Sequence, residues 1–152
     1  MLKKILIWLG GVFVAILVLL IGVAAWTGYQ SADYETTAVP YIQEAIPRIS
    51  SWDPATIKSY MAPEVMAEIP EGQFLEMTKA FTKLGVLESI GKPEFTKIIS
   101  NATIAEGSGI LVTYVVPVKY SNGDATITLI LKDLGESFEI YNLNINSMVL
   151  LK

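Results

Sequence analysis

The chain of 152 residues contains no cysteine and no histidine. Without cysteine it has no disulfide, no thiolate metal site and no cysteine nucleophile. Without histidine it lacks the commonest general base and the commonest transition-metal ligand, which excludes most hydrolase triads and most catalytic zinc sites. The composition therefore predicts a protein that is not an enzyme, with no metal site and no cofactor.

Charge is absent from the long apolar run Ile5–Trp26, which follows Lys3 and Lys4. As a helix this run reaches about 33 Å, which is enough to cross a hydrocarbon core of about 30 Å. Lysines beside a membrane span normally stay on the cytoplasmic side, so the rest of the chain should lie across the membrane. We predict a membrane anchor with a short cytoplasmic end over residues 1–29 and an exported domain over residues 30–152.

Aromatic and small residues within the anchor add two expectations. Trp26 at the outer end is typical of an interfacial anchor. Gly11 and Ala15 are four residues apart, a small-xxx-small spacing that lets another helix approach closely. The alternative is a signal peptide that is cleaved after Ala25. The residues expected to form the anchor surface are Ile5, Trp8, Gly11, Ala15 and Trp26.

The exported part is acidic. Apart from Lys3 and Lys4 the chain carries nine basic residues against fifteen acidic ones, a net charge of about −6. This balance argues against nucleic acid as a partner and against docking on anionic lipid headgroups. The orientation and the absence of disulfides suit a single-pass protein of a bacterial inner membrane with its C-terminal domain in the periplasm.

Apolar spacing predicts two or three helices after the anchor. Between Tyr34 and Ile49 apolar residues recur at helical spacing, which predicts a helix. We expect Pro40 and Pro47 to bend or break this helix. Asp53 should cap a second, short helix that begins at the proline after it. The clearest helix should end before a glycine at position 85 and carries one apolar stripe, formed by Phe74, Met77, Phe81 and Leu84.

From Phe95 onward the apolar period is two, which predicts about four antiparallel strands. The last of them, over residues 137–151, changes its apolar face between Ile140 and Tyr141. A one-residue shift of this kind indicates a bulge, and a bulge bends the strand. The sheet is therefore expected to be curved.

Asn122-Gly123 is a type I′ hairpin signal between two of these strands. The closing pair across such a turn would be Ser121 and Asp124. In that register Pro117 falls opposite Thr128 at a hydrogen-bonded position, where proline cannot donate. A bulge or a sheet edge beside the proline would resolve this conflict.

The resulting fold class is α+β: an N-terminal transmembrane helix, then two or three helices packed on a curved antiparallel sheet of about four strands. Over roughly residues 34–150 this resembles the nuclear-transport-factor-2-like superfamily of cystatin-like α+β cones, in its small membrane-anchored bacterial members. The stretches that carry the resemblance are Ile49-Ser50-Ser51-Trp52-Asp53-Pro54, Phe81-Thr82-Lys83-Leu84-Gly85 and the hairpin Val112–Leu131. The superfamily includes isomerases and dehydratases that use a pocket Asp, Tyr or His. No position here matches a catalytic carboxylate, so the resemblance implies a fold and not an activity.

Five polar residues are candidates for ligand binding. The amides of Asn142, Asn144 and Asn146 line one face of the last strand and could face a polar ligand in a concave sheet. The alternative is an exposed polar face on a half-buried strand. Tyr114 and Tyr141 could supply hydroxyl groups to a pocket, although aromatic residues on strands more often pack in the core.

These observations favour a non-catalytic, periplasm-facing accessory or scaffold domain that is tethered to the inner membrane. Its expected partner is another envelope membrane protein, and a homodimer is a further option. The alternative function is a module that holds a small apolar or amphipathic ligand in the cone between sheet and helices. That alternative is motivated by apolar residues of the sheet that should face the helices, namely Tyr114, Val116 and Leu129 opposite Phe74 and Phe81. An enzyme that pairs a buried carboxylate with a tyrosine is the third hypothesis.

Overall fold

The computed structural model describes the backbone of residues 1–104 and 107–152, and the side chains of residues 1–25, 33–100 and 109–152. The fold is α+β, as predicted, with several helices and an open, curved antiparallel sheet of five strands. The helices are α1 (Leu2–Ile49), α2 (Pro54–Tyr60), α3 (Pro63–Glu68) and α4 (Glu71–Phe81), with 3-10 helices at Thr82–Leu84 and Met148–Leu151. The strands are β1 (Leu87–Ile90), β2 (Glu94–Ile104), β3 (Gly107–Tyr120), β4 (Gly123–Asp133) and β5 (Phe138–Asn146).

The contacts within the chain divide it into two compact units, Met1–Thr37 and Ala38–Lys152. The first unit contains the 24-residue segment Leu2–Ala25, whose most apolar window has a mean hydropathy of 2.9 and is not buried within the protein. By length and composition this segment can cross a membrane. A signal sequence near the start of a chain meets the same criterion, so the segment is compatible with either role.

In the second unit, α1 buries one face completely and is not broken by its prolines. Pro40 and Pro47 both lie inside the helix, which continues to Ile49, so the expectation of a break is wrong. A proline in a helix interior costs about 3 kcal/mol, whereas burying one isoleucine side chain contributes about 1.5–3 kcal/mol. Burial outweighs the two prolines because five side chains of this face are 0% exposed: Ala38, Ile42, Ala45, Ile46 and Ile49.

Local capping and stop signals determine where the short helices begin and end, as expected. Asp53 caps α2 by accepting hydrogen bonds from the Thr56 N–H at 3.2 Å and the Thr56 hydroxyl at 2.7 Å. Phe74 and Phe81 of α4 are buried, and the 3-10 turn after α4 stops at Gly85, whose φ of 83° suits glycine. The helix α3 was not predicted, because its six residues are too few to show a period.

Two strands share one edge of β3, which is the longest strand of the sheet. The strand order is β1-β3-β4-β5, and β2 also pairs with β3. β2 pairs with residues 107–115 of β3 and β1 with residues 118–120. The sheet has one strand more than the four expected, namely β1. With only four residues, β1 is too short to show a clear alternation of apolar and polar residues. We call the face of the sheet that is buried against the helices the inner face; on β3 it carries Val112, Tyr114, Val116, Val118 and Tyr120.

The hairpin between β3 and β4 closes one residue earlier on the chain than the turn signal predicts, which shifts the pairing register by two. Its last pair is Tyr120 with Gly123, so the expected pairing of Ser121 with Asp124 is wrong. The two turn residues are Ser121 and Asn122, and neither has a positive φ, which excludes the type I′ turn. Because side chains alternate with a period of two, the slip leaves every residue on its predicted face.

Tertiary hydrogen bonds explain this different turn. The Ser121 N–H donates to the Val86 carbonyl at 2.8 Å, and the Asn122 N–H donates to the Leu84 carbonyl at 3.1 Å. The Asn122 side-chain amide donates to the Lys83 carbonyl at 2.8 Å. The turn is therefore held by the segment that follows α4, and those bonds outweigh the local preference of Asn-Gly.

The same register resolves the position of Pro117, which lies opposite Thr126 and not opposite Thr128 as expected. Its carbonyl accepts a hydrogen bond from the Gly91 N–H at 2.7 Å. In an antiparallel strand the nitrogen and carbonyl of one residue point to the same side. The missing N–H of Pro117 therefore points to the gap between β1 and β2, and no bond to β4 is lost.

The predicted bulge in the last strand is present. Leu131 pairs with Ile140 and Ile130 pairs with Asn142, so Tyr141 is the extra residue. The strand is shorter than expected, because the end of the chain forms a 3-10 helix instead. The bulge contributes to the curvature of the sheet.

Replacing Gly85 by alanine tests the turn that holds the hairpin. The positive φ is strained for alanine, and a Cβ at this position would overlap the Ser121 hydroxyl. We expect Gly85→Ala to lower the free energy of unfolding by more than about 1 kcal/mol, measured by urea denaturation of the full chain in detergent. Gly72→Ala in α4 is the control, because open space surrounds it, and it should change stability by less than about 1 kcal/mol or raise it. Equal losses in both variants would contradict this account.

Candidate functional site

The three candidate asparagines lie together on the outer face of the sheet, the face opposite the inner one. Asn142, Asn144 and Asn146 are exposed and alternate along β5 with residues that point inward. Across the strand boundary they pair with residues of β4, namely Ile130, Thr128 and Thr126. The outer face thus has a ladder of exposed amides along its edge strand, beside the hydroxyl groups of Thr126 and Thr128 on β4.

The two candidate tyrosines do not join these asparagines in one site. Tyr114 is on the inner face, 1% exposed, and its ring meets Phe95 edge-on at 5.8 Å between centroids. Tyr141 is half-buried at the bulge. Tyr114 therefore contributes to the core, and the sheet separates it from Asn144.

A groove on the outer face lies beside the asparagine ladder. It has a volume of about 540 Å³ and is open to solvent along one side. β1, β3, β4 and the end of β5 all contribute to it. We call it the outer groove; it is lined by Ser89, Gly91, Pro117, Val118, Lys119, Asp124, Ala125, Thr126, Asn146, Ser147 and Met148.

Hydrogen bonds to backbone carbonyls hold both sides of the outer groove. On one side the Gly91 N–H is bonded to the Pro117 carbonyl at 2.7 Å, and a Cβ on Gly91 would come within 2.6 Å of the Pro117 ring. On the other side the Ser147 hydroxyl donates to the Asp124 carbonyl at 2.7 Å. These contacts fix the ends of β1 and β5 against the central hairpin, so the groove is formed before anything binds.

The two charged side chains of the outer groove, Lys119 and Asp124, form none of the ion pairs between described side chains. Lys119 and Asp124 are direct cross-strand neighbours on β3 and β4. The ion pairs between described side chains lie elsewhere, at Arg48 and around Lys132. The groove therefore offers one cation and one anion side by side.

Of the groove residues, only Asn146 is a ligand-binding candidate from the sequence. The others come from segments up to about sixty residues apart in the sequence and have no shared motif. The one local signal was Pro117, since a proline inside a strong strand pattern indicates a gap in the neighbouring strand.

A buried ion pair attaches α3 to the sheet at the other end of β4. The Lys132 ammonium lies 2.7 Å from a Glu64 carboxylate oxygen, and the two side chains are 8% and 10% exposed. Glu139 approaches the same ammonium at 4.0 Å. The hydrogen bond from Lys132 lowers the pKa of Glu64 below its ordinary value. This pair is a structural contact, because it joins elements and lines none of the recesses described here.

Two tyrosine hydroxyl groups also have a shifted pKa. Burial raises the pKa of Tyr41, and the nearby Tyr60, Glu139 and Glu44 raise it further. Burial likewise raises the pKa of Tyr120, whose hydroxyl lies 2.9 Å from that of Ser50. Both therefore stay neutral at physiological pH and serve the packing of α1 on the sheet.

The predicted anchor residues lie on the surface of α1. Ile5 is 58% and Trp8 76% exposed, and Gly11 has open space around it. The side chain of Trp26 is outside the described residues. A recess of about 420 Å³ on this helix is lined by Lys4, Ile7, Trp8, Gly11, Val12 and Ala15.

Replacing Glu64 by glutamine tests the buried pair through its pH dependence. A carboxylate with a lowered pKa stabilises the fold above its ordinary value of 4.5, and this contribution is lost as pH falls through the folded-state value. We expect Glu64→Gln to cost about 1–3 kcal/mol at pH 7, and to make stability fall less steeply than in the parent below pH 4.5. Urea denaturation at a series of pH values measures both.

Glu68→Gln is the matched control, because Glu68 is exposed on the same helix. It should leave the free energy of unfolding within about 0.5 kcal/mol of the parent. Parallel pH profiles for Glu64→Gln and the parent would show that the pair contributes nothing to stability.

Comparisons with known proteins found no matching family model, no matching curated protein and no matching solved structure. The resemblance to the nuclear-transport-factor-2-like superfamily accordingly stays a prediction. In the described residues, no group of three or more His, Cys, Asp or Glu side chains is arranged to hold a metal ion. The case for a function therefore depends on the outer face, the packed interior and the apolar helix.

Proposed function

We propose that this chain is a single-pass protein of a bacterial inner membrane whose second unit, Ala38–Lys152, lies in the periplasm and binds a partner protein without catalysis. The observation that carries the proposal is the contrast between the two faces of the sheet. The inner face is filled by side chains that pack on one another. Around Asn144 and Asn146 the outer face is exposed and polar, and it contains a preformed groove with charged groups that are free to meet a partner.

The location is supported by the apolar segment Leu2–Ala25 and by the lysines at its start. Two positive charges beside a membrane span favour retention of that end on the cytoplasmic side, so the chain after the segment is translocated. Export also agrees with the acidic balance of the remaining chain, because an acidic surface has no electrostatic attraction to anionic headgroups.

The interior gives no comparable support to the alternative of a small apolar ligand between sheet and helices. Phe74, Tyr114 and Leu129, which were expected to line that space, are at most 1% exposed. A ligand would have to displace them at the cost of their packing, which for one large side chain amounts to several kcal/mol. We therefore place binding on the surface of the domain.

Single introduced cysteines test the orientation, because the chain has none of its own. Asn144→Cys on the outer face should react with a membrane-impermeant maleimide in intact spheroplasts. Leu2→Cys, which keeps both lysines, should react only after the membrane is permeabilised. The readout is the mass shift of the labelled chain in the membrane fraction. Labelling of both cysteines before permeabilisation, or a soluble shortened chain, would contradict an anchored periplasmic protein.

Crosslinking from the outer face tests partner binding. A photo-reactive phenylalanine analogue is introduced at Asn144, and separately at Glu76 on the exposed side of α4, in the full chain in its native membrane. We expect one protein to be captured from position 144 and not from position 76, because a specific interface covers one surface only. The same weak products from both positions would overturn the proposal.

A further inference from the structure

The shape of the outer groove favours a chain segment over a small molecule. Its volume of about 540 Å³ is within the range of ligand sites. Small-molecule sites, however, enclose about 70–90% of the ligand surface, whereas this groove is open to solvent along one side. An occupant here is covered on one side only, which suits a polypeptide segment that continues beyond the groove at both ends.

The charges of the groove restrict which segments fit. Lys119 and Asp124 are cross-strand partners, so their Cβ atoms are about 5 Å apart. A segment with charges of one sign would attract one of them and be repelled by the other. A segment with an acidic and a basic side chain on the same side satisfies both, and like-charge contacts discriminate strongly against other segments.

Uncharged groups of the groove fit the main chain of such a segment. The hydroxyl groups of Ser89 and Thr126 and the amide of Asn146 are exposed and are not engaged by another side chain or backbone group of the described structure. An amide both donates and accepts, as an extended backbone requires. Met148, which is 73% exposed, offers a flexible apolar surface at the groove wall.

From this arrangement we infer that the outer groove binds an extended segment of the partner protein that carries one acidic and one basic side chain. The acidic side chain meets Lys119 and the basic one meets Asp124. Because the Gly91 N–H and the Ser147 hydroxyl already hold the groove walls by hydrogen bonds to backbone carbonyls, binding needs little rearrangement. This inference rests on the proposed function and names the surface through which it acts.

Selection of phage-displayed random linear peptides on the full chain in detergent micelles tests the inference. Enriched peptides should carry both an acidic and a basic residue. Each single charge reversal, Lys119→Glu or Asp124→Lys, should weaken their binding about tenfold, measured by fluorescence polarisation. The double variant Lys119→Glu/Asp124→Lys restores a charge pair, and it should prefer peptides in which the acidic and basic positions are exchanged.

Lys79→Glu and Glu76→Lys are matched controls, because they reverse exposed charges on α4 away from the groove. They should leave peptide binding within about twofold of the parent, and thermal unfolding of all variants shows that they are folded. Failure to enrich any peptide, or binding that is unchanged by both groove reversals, would overturn the inference. If a partner is still captured by crosslinking from position 144, the proposed function stands and only the groove assignment falls.

Discussion

The burial of one face of α1 between Ala38 and Ile49 is the constraint on which the folded unit depends. Contacts at both ends of this segment reach the inner face: the ring of Tyr41 lies 5.6 Å from that of Phe138 at the start of β5, and Ser50, the residue after the helix, is hydrogen-bonded to Tyr120 at the end of β3. A helix held at both ends determines which face of every strand is buried. It also explains why two prolines are tolerated, since the apolar contacts outweigh the lost backbone hydrogen bonds.

Under the proposed function the partner meets the outer face, because the helices cover the inner one. The outer groove follows from a break in the sheet. β1 and β2 share one edge of β3, and Pro117 lies at the gap between them with Gly91 packed on its ring. The proline costs no bond to β4 at that position. A feature that looked like a conflict in the strand pattern is therefore the place where the groove forms.

Local signals predicted local structure well, and failures began where distant segments meet. The cap at Asp53, the stop at Gly85 and the bulge at Tyr141 each depend on a few neighbouring residues. The hairpin register was wrong by two because its turn is held by backbone groups near Val86, about 35 residues away in the sequence. The charge pair of the outer groove had no sequence signal for the same reason: Lys119 and Asp124 become neighbours only after the register is known.

An open groove and a membrane anchor complement each other under the proposed function. A segment covered on one side, with exposed charges screened by salt, gains only modest affinity from the groove itself. Confinement of both proteins to one membrane raises their effective concentration, so a weak contact suffices for association. The same exposure makes the contact specific through charge pattern more than through buried area. A groove of this kind is useful to a tethered domain and of little use to a freely diffusing one, which links the apolar helix to the chemistry of the outer face.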